Sequence, residues 1–281
     1  MKIINSPKAM YKMATSARRR ASAIGFVPTM GALHEGHLSL IRRARRDNDF
    51  VVVSIFVNPS QFGKGEDFAK YPRPRKRDIA FCRKERADVL FCPGQGQIYP
   101  QGYKTYVNVE GLSGVLCGES RPGHFRGVAT VVAKLLNIVR PDTLYLGRKD
   151  AQQAIIIAKM VRDLDFPAKV KVMPTIREKS GLALSSRNAY LNRKEREDAR
   201  VIPKSLKLAA LLIKGGQRDA GTIIRRMREI IGKKKNIKIE YISIADNSSL
   251  EPLKKVKHGC MIAMAVRIGR TRLIDNITVT T

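Results

Sequence analysis

The sequence predicts an α/β fold in which helices cover both faces of a parallel sheet, followed by a smaller α+β region. Short apolar segments alternate with amphipathic ones as far as residue 175, which is the pattern of repeated βαβ units. The segment 51–57 is nearly continuous in apolar residues, as in a strand that is buried on both faces. Beyond residue 175 the order changes to helices followed by strands. We therefore expect two domains, 1–175 and 176–281.

Hydrophobic spacing and turn residues place the elements of the first region. The first strand leads into a helix whose Leu38, Ile41 and Ala44 recur on one face, while four arginines face away. The clearest helix, 128–139, carries apolar residues in steps of three and one and ends before Pro141. The remaining predictions are strands at 24–27, 51–57, 88–91, 105–109, 143–146 and 170–173, helices at 74–86 and 150–164, and loops at 61–71 and 94–102.

The second region begins with a recognisable helix start. Asn192 is followed three residues later by Glu195, the spacing of an N-cap and capping box. Two basic helices are expected at 193–214 and 219–232, because a glycine pair at 215–216 interrupts the helical pattern. Three apolar segments then predict strands at 237–245, 261–268 and 273–279.

The charge of the chain is strongly basic. Its 281 residues include 54 Lys and Arg against 24 Asp and Glu, a formal net charge of +30. Such basicity is a cue for nucleic-acid binding. However, the cations form many small clusters, and the aromatic residues, 6% of the chain, do not alternate with them, as a base-stacking surface requires. We interpret most of this charge as solvated surface that also steers anionic substrates.

The cysteines and the hydropathy pattern bear on the compartment. Cys82, Cys92, Cys117 and Cys260 are scattered, without a Cys-x-x-Cys pair, so we expect neither a disulfide framework nor a zinc site. The first 20 residues are basic and lack the apolar run of a signal peptide. No segment approaches the roughly 18 apolar residues of a membrane span. The expected location is the reducing cytoplasm.

The most distinctive segment is 25–38, which reads as a strand, a glycine-bearing turn and a helix start. Free backbone N–H groups and the helix dipole at such a turn suit a phosphate group. His34 and His37 lie three residues apart and therefore share one helix face. A P-loop is excluded, because His37 and Leu38 stand where Lys and Ser or Thr are required. A purely structural role for the two histidines explains the spacing equally well.

Two further segments have the residue types of a polar site. In 147–153, Lys149 offers a compact positive charge, Asp150 can accept hydrogen bonds from ribose hydroxyls, and Gln153 can donate and accept. This segment lies between a predicted strand and a predicted helix, where ligands collect in parallel sheets. In 184–188, two serines and Arg187 suit polyphosphate oxygens. Taken alone, each segment is also explained as solvated surface or a polar turn.

Together and in this order, these segments closely resemble the pantothenate synthetase (pantoate–β-alanine ligase) family. The H-x-G-H signature alone is shared with class I aminoacyl-tRNA synthetases and small nucleotidylyltransferases, whereas the complete set of motifs is much more specific. The resemblance implies a Rossmann-like, doubly wound N-terminal domain, a smaller C-terminal lid and a homodimer. The matching motifs are 28–37, 58–62, 71–73, 121–125, 147–153, 185–188 and 271–276.

The resemblance also implies an activity that uses ATP and Mg²⁺. Pantoate and ATP form pantoyl adenylate and pyrophosphate, after which β-alanine displaces AMP to give pantothenate, the coenzyme A precursor. Within this reaction His37 is the implied proton donor, and Gln61 and Gln153 are the implied pantoate ligands, Gln61 also lying near β-alanine. The implied catalytic residues are His34, His37, Lys149 and Arg187, and the implied ATP-binding residues are Pro28, Thr29, Met30, Gly31, His34, His37, Gly147, Lys149, Asp150, Ile176, Leu184, Ser185, Ser186 and Arg187.

The sequence departs from the family pattern at two places. Arg148 stands where relatives usually carry an acidic or uncharged residue, so a role for its side chain does not transfer. Arg77 precedes Asp78 where relatives can carry two acidic residues near magnesium, which leaves Asp78 as the expected metal neighbour. The glycine-bearing segment 63–77 is expected to close over the site and exclude water.

Two other functions are compatible with parts of the sequence. A different H-x-G-H nucleotidyl transferase would share the adenylation chemistry and differ in its acceptor. An RNA-binding protein on a retired catalytic scaffold would explain the +30 charge. Retention of Lys149, Asp150, Gln153 and the histidine pair argues against retirement, and we expect no nucleic-acid partner.

Overall fold

A parallel sheet, as predicted, forms the centre of the molecule, and it contains six strands. The protein is described by a computed structural model that covers residues 1–279. The strand order is β1-β4-β3-β2-β5-β6, and every neighbouring pair is parallel. The strands are β1 (Lys2–Ile4), β2 (Ile24–Thr29), β3 (Phe50–Ile55), β4 (Val89–Phe91), β5 (Thr143–Gly147) and β6 (Lys169–Met173).

Helices cover both faces of this sheet because side chains alternate along each strand. In β2, Phe26 packs into the core that contains α1, α6 and α7, whereas Val27 packs on the opposite face against α2. Both side chains are fully buried. The helices of this half are α1 (Pro7–Arg19), α2 (Glu35–Asp47), α3 (Arg75–Lys84), α4 (Gln95–Ile98), α5 (Cys117–Ser120), α6 (His124–Val139) and α7 (Ala151–Asp163).

A second, antiparallel sheet of order β7-β8-β9 lies in the C-terminal part. One face packs on α9 and α10 through residues such as Ile262 and Met264. The other face carries Met261 and Ala263, which belong to the core around α6. The predicted α/β class with a smaller α+β part is confirmed, while the boundary at 175/176 stays a prediction. The elements are α8 (Arg193–Ala199), α9 (Val201–Lys214), α10 (Ala220–Gly232), β7 (Ile237–Ala245), β8 (Met261–Ile268) and β9 (Thr271–Thr278).

Three local predictions differ from the structure. The strand expected at 105–109 is wrong, because the Val107 N–H donates to Thr130 Oγ1 of α6 at 2.9 Å rather than to a neighbouring strand. The expected loop 94–102 contains α4. The helix expected at 193–214 is two helices that meet at Arg200, just before Pro203, which lacks the N–H that a continuous helix uses. β1 and α1 were not predicted, although Ser6 caps α1 ahead of a proline at its first position.

The helices and the cysteines do not contradict the expectations from the sequence. Among residues 1–279, the helices are too short or too polar to cross a lipid bilayer. The four cysteines, Cys82, Cys92, Cys117 and Cys260, are all free thiols. Burial raises the pKa of Cys82 to about 12, so this thiol is inert near neutral pH.

Candidate active site

The candidate site lies where the order of strands in the parallel sheet reverses. β2 and β5 are neighbours, β3 and β4 extend the sheet on one side, and β6 extends it on the other. In open α/β sheets, ligands bind outside the carboxyl ends of the strands at such a point. The turn after β2 and the segment after β5 both line one cavity of about 220 Å³. Topology thus brings together two segments that are more than 100 residues apart in the chain.

A tight turn after β2 carries the first histidine. Gly31 has φ +83°, a conformation that glycine adopts at little cost. Asp78, from α3, is only 1% exposed and lies beneath the turn. Its carboxylate oxygens accept hydrogen bonds from the backbone N–H groups of Ala32 at 2.8 Å and Leu33 at 2.9 Å. Asp78 therefore fixes the shape of the turn.

The first turn of α2 uses backbone donors to orient the two histidines. His34 Nδ1 accepts a hydrogen bond from the Gly36 N–H at 3.2 Å, and His37 Nδ1 accepts one from the His34 N–H at 3.3 Å. The expectation that free backbone N–H groups face a phosphate is therefore wrong for His34 and Gly36. Because both Nδ1 atoms are acceptors, each neutral imidazole carries its proton on Nε2. The rings lie 4.2 Å apart between centroids, so two side-chain donors stand side by side.

Both imidazoles are neutral near pH 7. Burial, assisted by the positive charge of Lys149, lowers the pKa of His34 to about 4. Burial and the neighbouring His34 lower the pKa of His37 to about 3. Burial and Arg121 likewise lower the pKa of His124 to about 4. A neutral imidazole donates a hydrogen bond through Nε2, whereas proton donation to a leaving group requires prior protonation.

We expect the protein to lose stability as the pH falls from 6.5 to 5. In this window the unfolded chain protonates these histidines, whereas His34, His37 and His124 of the folded protein stay neutral because their pKa values are about 4, 3 and 4. The unfolded state then binds more protons, which lowers the free energy of unfolding by up to about 1.4 kcal/mol per pH unit for each histidine. Urea unfolding at several pH values measures this slope.

Replacement of His37 by asparagine provides the control for this slope. The variant should lose the contribution of one histidine, so its free energy of unfolding should depend less steeply on pH than that of the wild-type protein. An unchanged slope in the variant would contradict the lowered pKa of His37.

Gln61 is held beside the histidine turn by a polar cluster. Its Nε2 donates to Met30 Sδ at 3.2 Å, and its Oε1 accepts from Asn58 Nδ2 at 3.0 Å. Its backbone carbonyl accepts from His124 Nδ1 at 2.7 Å and from Arg121 Nη2 at 3.3 Å. The position of Gln61 is therefore fixed through both its side chain and its backbone.

Gly127 allows α6 to approach the short 3₁₀ helix Pro59–Gln61. A Cβ atom at Gly127 would lie 2.2 Å from the Ser60 carbonyl oxygen, which is impossible without displacing backbone. The Gly127 carbonyl also accepts a hydrogen bond from Asn58 Nδ2 at 3.1 Å. The close approach places α6, which carries His124, directly against the segment that carries Gln61.

The segment after β5 contributes charge and an amide to the cavity. Lys149 Nζ lies 3.4 Å from Asp150 Oδ1. Partial desolvation in the cavity acts to raise the pKa of Asp150, but the Lys149 ammonium outweighs it and lowers the pKa, so this half-exposed carboxylate is ionised near pH 7. In α7, Gln153 lines the cavity, whereas Gln152 is buried and accepts from the Cys117 N–H at 3.0 Å. Adjacent glutamines thus have different surroundings.

The segment 184–187 completes the cavity. Arg187 donates through Nε and Nη2 to both carboxylate oxygens of Asp67, at 3.0 and 2.8 Å. Ser186 Oγ donates to the Ala32 carbonyl at 3.2 Å, and the Leu184 N–H donates to the Ile176 carbonyl at 3.0 Å. The planar fork of Arg187 holds a carboxylate in the manner in which it can hold a phosphate group.

The structure brings nearly all the expected site residues into this one cavity. Gly31, which is part of the turn, and Asp78, which lies beneath it, do not line the cavity. Sequence reasoning assigned no role to Asn58, Tyr71, Arg121 and His124, which also line it, although their motifs 58–62, 71–73 and 121–125 were a signal. The expected residues that line the cavity are Pro28, Thr29, Met30, His34, His37, Gln61, Gly147, Lys149, Asp150, Gln153, Ile176, Leu184, Ser185, Ser186 and Arg187.

The side chains that could bind a metal ion can be compared with the expected magnesium site. In the part of the chain that the structure describes, no group of three or more His, Cys, Asp or Glu side chains could hold a metal ion. Both carboxylate oxygens of Asp78 are engaged by backbone N–H groups, and Asp78 does not line the cavity. The position of Asp78 is that of a structural carboxylate, which does not support its expected place beside magnesium.

The fold and the cavity define a class of protein. A parallel α/β sheet with an H-x-G-H turn at the carboxyl ends of its strands is the architecture of nucleotidyl-transferring and acyl-adenylating enzymes. Comparison with known proteins narrows this class, because the family model for pantoate-beta-alanine ligase matches residues 2–278. The chain belongs to the pantoate–β-alanine ligase family, as its motifs predicted, and the expected enzyme class, a ligase, is confirmed.

Individual relatives support the same family. The pantothenate synthetase of Moorella thermoacetica is 51% identical over 277 residues, which cover 99% of this chain and 98% of that protein. The pantothenate synthetase of Sulfurihydrogenibium sp. is 52% identical over 278 residues, or 99% of each. Among solved structures, pantothenate synthetase from Thermus thermophilus matches with a TM-score of 0.95 and 41% identity over 100% of both chains.

A second solved structure carries ligands. The pantoate-beta-alanine ligase from Francisella tularensis, described as complexed with beta-gamma ATP and beta-alanine, matches with a TM-score of 0.83 and 38% identity. The match covers 99% of this chain and 97% of that one. The fold is therefore shared along the whole length of both proteins.

Proposed function

We propose that this chain condenses (R)-pantoate with β-alanine at the expense of ATP, through a pantoyl adenylate. The proposal depends on the observation that side chains from distant parts of the chain meet in one cavity. His34 and His37, Lys149, and the amides Gln61 and Gln153 come from distant parts of the chain and line one cavity. One cationic group and two neutral imidazole donors for a polyphosphate, and two amides for a hydroxy acid, therefore line the same cavity.

In the first step, a pantoate carboxylate oxygen attacks the α-phosphorus of ATP, and the bond from that phosphorus to the bridging oxygen breaks. Pyrophosphate leaves with the bonding electrons. Negative charge accumulates on the phosphates, so donors already fixed in place lower the barrier. The Nε2–H groups of His34 and His37, with Lys149, are such donors. Because His37 has a pKa of about 3, it serves first as a neutral hydrogen-bond donor through Nε2–H. It can transfer a proton to pyrophosphate only after the imidazole has taken up a second proton from solvent, which the phosphate charge favours.

In the second step, the β-alanine amine attacks the acyl carbon of the adenylate. The bond from this carbon to the phosphate oxygen breaks, AMP leaves with the electrons, and the nitrogen loses a proton. Adenylation is needed because a free carboxylate repels the nucleophile and provides a poor leaving group. The amine reacts only in its neutral form, whereas its pKa in water is about that of lysine, ~10.4.

The cavity suits pantoate because it combines amides with apolar walls. Gln61 and Gln153 can each donate to the carboxylate and exchange hydrogen bonds with hydroxyl groups. Phe56, Val128 and Val131 also line the cavity and can contact the dimethyl-substituted carbon of pantoate. A site that hydrogen-bonds substrate hydroxyls rejects analogues that lack them.

We expect Gln153→Ala to raise the KM for pantoate by about tenfold or more, because the loss of a hydrogen bond to a charged group costs about 1.5–3 kcal/mol. The KM for ATP should change much less, since Gln153 is expected to face the acid. Steady-state kinetics with each substrate varied in turn measure the effect. Gln101→Ala, at an exposed position outside the cavity, is the matched control. An unchanged pantoate KM in Gln153→Ala would exclude this contact.

We propose that Mg²⁺ enters as part of Mg-ATP. Mg²⁺ usually keeps several waters and is held by phosphate oxygens with few protein ligands, which agrees with the absence of a metal-binding cluster among residues 1–279. When bound, it would neutralise phosphate charge. Asp150, a half-exposed carboxylate at the cavity (47% side-chain exposure), is a better candidate than Asp78 for a contact with hydrated magnesium.

Of the expected lid, 63–77, the residues from Arg75 onward belong to α3, and we propose that the segment before this helix, 62–71, acts as the lid. Two ion pairs hold it over the cavity, Glu66 with Arg121 at 2.6 Å and Asp67 with Arg187 at 2.8 Å. Phe62 packs edge-on against Tyr71, with 5.9 Å between ring centroids. Because Asp67 occupies the fork of Arg187, ATP must displace this carboxylate to bind there. Lid movement and ATP binding are therefore coupled.

One assay tests the proposed function against its alternatives. The purified protein should release AMP from Mg-ATP only when D-pantoate and β-alanine are both present at steady state. A nucleotidyl transferase with another acceptor would give pantoate-independent turnover or no turnover with β-alanine, which would overturn the proposal. An RNA complex that persists at raised salt would favour the RNA-binding alternative, whereas weak binding that collapses with salt reflects ordinary electrostatics.

We also propose that the protein is a cytoplasmic homodimer. The dimer follows from the family resemblance, and the four free cysteines suit a reducing compartment. Sedimentation equilibrium tests the dimer, since a single monomeric species at micromolar concentration would contradict it.

A further inference from the structure

Strand β9 reaches from the C-terminal sheet into the segment that carries Lys149. Asn276 is 6% exposed, and its Nδ2 donates to the carbonyl oxygens of Arg148 at 3.0 Å and Lys149 at 2.9 Å. Both acceptors are carbonyls, so the nitrogen of the amide must face them. A single side chain therefore fixes two consecutive peptide units beside the candidate phosphate-binding lysine.

The backbone of Asn276 is itself held on the opposite side of the strand. Its N–H donates to Asp275 Oδ1 at 2.8 Å. Asp275 is 2% exposed and pairs with Arg177 through both oxygens, at 2.6 and 3.0 Å. The backbone of Arg177 also forms an isolated antiparallel β-bridge with Ala183, which precedes Leu184. Side chains alternate along a strand. Asn276 therefore contacts the segment 147–150 on one side of β9, and Asp275 contacts Arg177, which leads toward the segment 184–187, on the other side.

From this geometry we infer that Asn276 is a positioning residue for Lys149. Asn276 contacts the backbone of the segment and is assigned no contact with substrate. The segment Arg148–Asp150 is a single turn of 3₁₀ helix, which has weaker internal hydrogen bonds than an α-helix. External donors to its carbonyls therefore determine where the Lys149 ammonium lies relative to Arg187. The inference rests on the proposed role of Lys149 at the ATP phosphates.

The test uses Asn276→Ala and Asn276→Asp. Misplacing a catalytic group by about 1 Å can cost about 100-fold, so we expect Asn276→Ala to lower kcat by about 10- to 100-fold. Asn276→Asp keeps the volume of the side chain but replaces the donor with an oxygen that faces two carbonyls, so its loss should be at least as large. If Asn276 only filled space, the aspartate variant would retain nearly wild-type kcat, which would overturn the inference.

A double-mutant cycle separates positioning from general damage. If Asn276 acts through Lys149, adding Asn276→Ala to Lys149→Ala should change kcat less than threefold, because the group that it positions is already gone. Losses that multiply in the double variant would overturn the inference. Thr278→Ala on the same strand should keep wild-type kcat, and melting temperatures establish that each variant is folded.

The wild-type assay distinguishes failure of this inference from failure of the proposed function. Wild-type protein that makes no AMP with pantoate, β-alanine and Mg-ATP would overturn the proposed function. Active wild-type protein together with fully active Asn276→Ala would overturn only the positioning role.

Discussion

Replacing His37 with alanine is expected to leave the protein folded and to lower kcat by at least about 100-fold. This is the low end for loss of a group that assists proton transfer, and the Nε2–H donor is lost at the same time. The His37 ring is partly exposed in the cavity, so its removal leaves no large hole in the core. Pre-steady-state formation of pantoyl adenylate, measured with pantoate and Mg-ATP alone, reports on the step in which His37 acts.

His258→Ala is the matched control for His37→Ala. His258 is an exposed histidine outside the cavity, and its replacement should leave adenylate formation unchanged. His37→Asn is informative because an amide can donate a hydrogen bond but cannot transfer a proton. Near-wild-type adenylate formation in His37→Ala would remove His37 from the mechanism.

Replacing Lys149 with alanine is expected to lower kcat by about 100- to 1,000-fold. Loss of one fixed donor at a developing negative charge has this magnitude in other enzymes. Lys149 is 20% exposed at its side chain, and its partner Asp150 is 47% exposed, so water can solvate the carboxylate that is left behind. The fold should therefore persist, with only a small change in melting temperature.

Lys169→Ala provides the control for Lys149→Ala. Lys169 is exposed at the start of β6, away from the carboxyl ends of the strands, and its loss should leave kcat unchanged. Lys149→Arg should recover only part of the activity, because a planar guanidinium does not replace a compact ammonium. A fully active Lys149→Ala variant would remove Lys149 from the phosphate site.

Secondary structure that depends on local pattern was predicted well. The helix with Leu38, Ile41 and Ala44 and the helix before Pro141 were found because their apolar spacing is intrinsic to the segment. The strand expected at 105–109 was wrong because its backbone finds a side-chain partner in Thr130, which no local pattern reveals. The break at Arg200 follows from Pro203, whose missing N–H is visible in the sequence.

The candidate site was predicted through motifs more than through physical pattern. The spacing of His34 and His37 alone was equally compatible with a structural role. Only the presence of the other motifs in the same sequence indicated a ligand site. No sequence pattern indicated that both carboxylate oxygens of Asp78 would accept hydrogen bonds from backbone N–H groups. Nor could any pattern show that the first turn of α2 uses its own amides to orient the histidines.

The sequence by itself determined the α/β class, the family and the residue types of the cavity, because periodicity and motif order are properties of the chain alone. Only the tertiary structure decided which side chains of the cavity are neutral, which are already hydrogen-bonded within the protein, and which can still bind a ligand. Three features depend on atoms that are distant in the chain and adjacent in space. They are the lowered pKa of His37, the ion pair between Arg187 and Asp67, and the hydrogen bonds from Asn276 to the segment that carries Lys149. Burial and electrostatic interaction depend on those distances, and folding alone sets them.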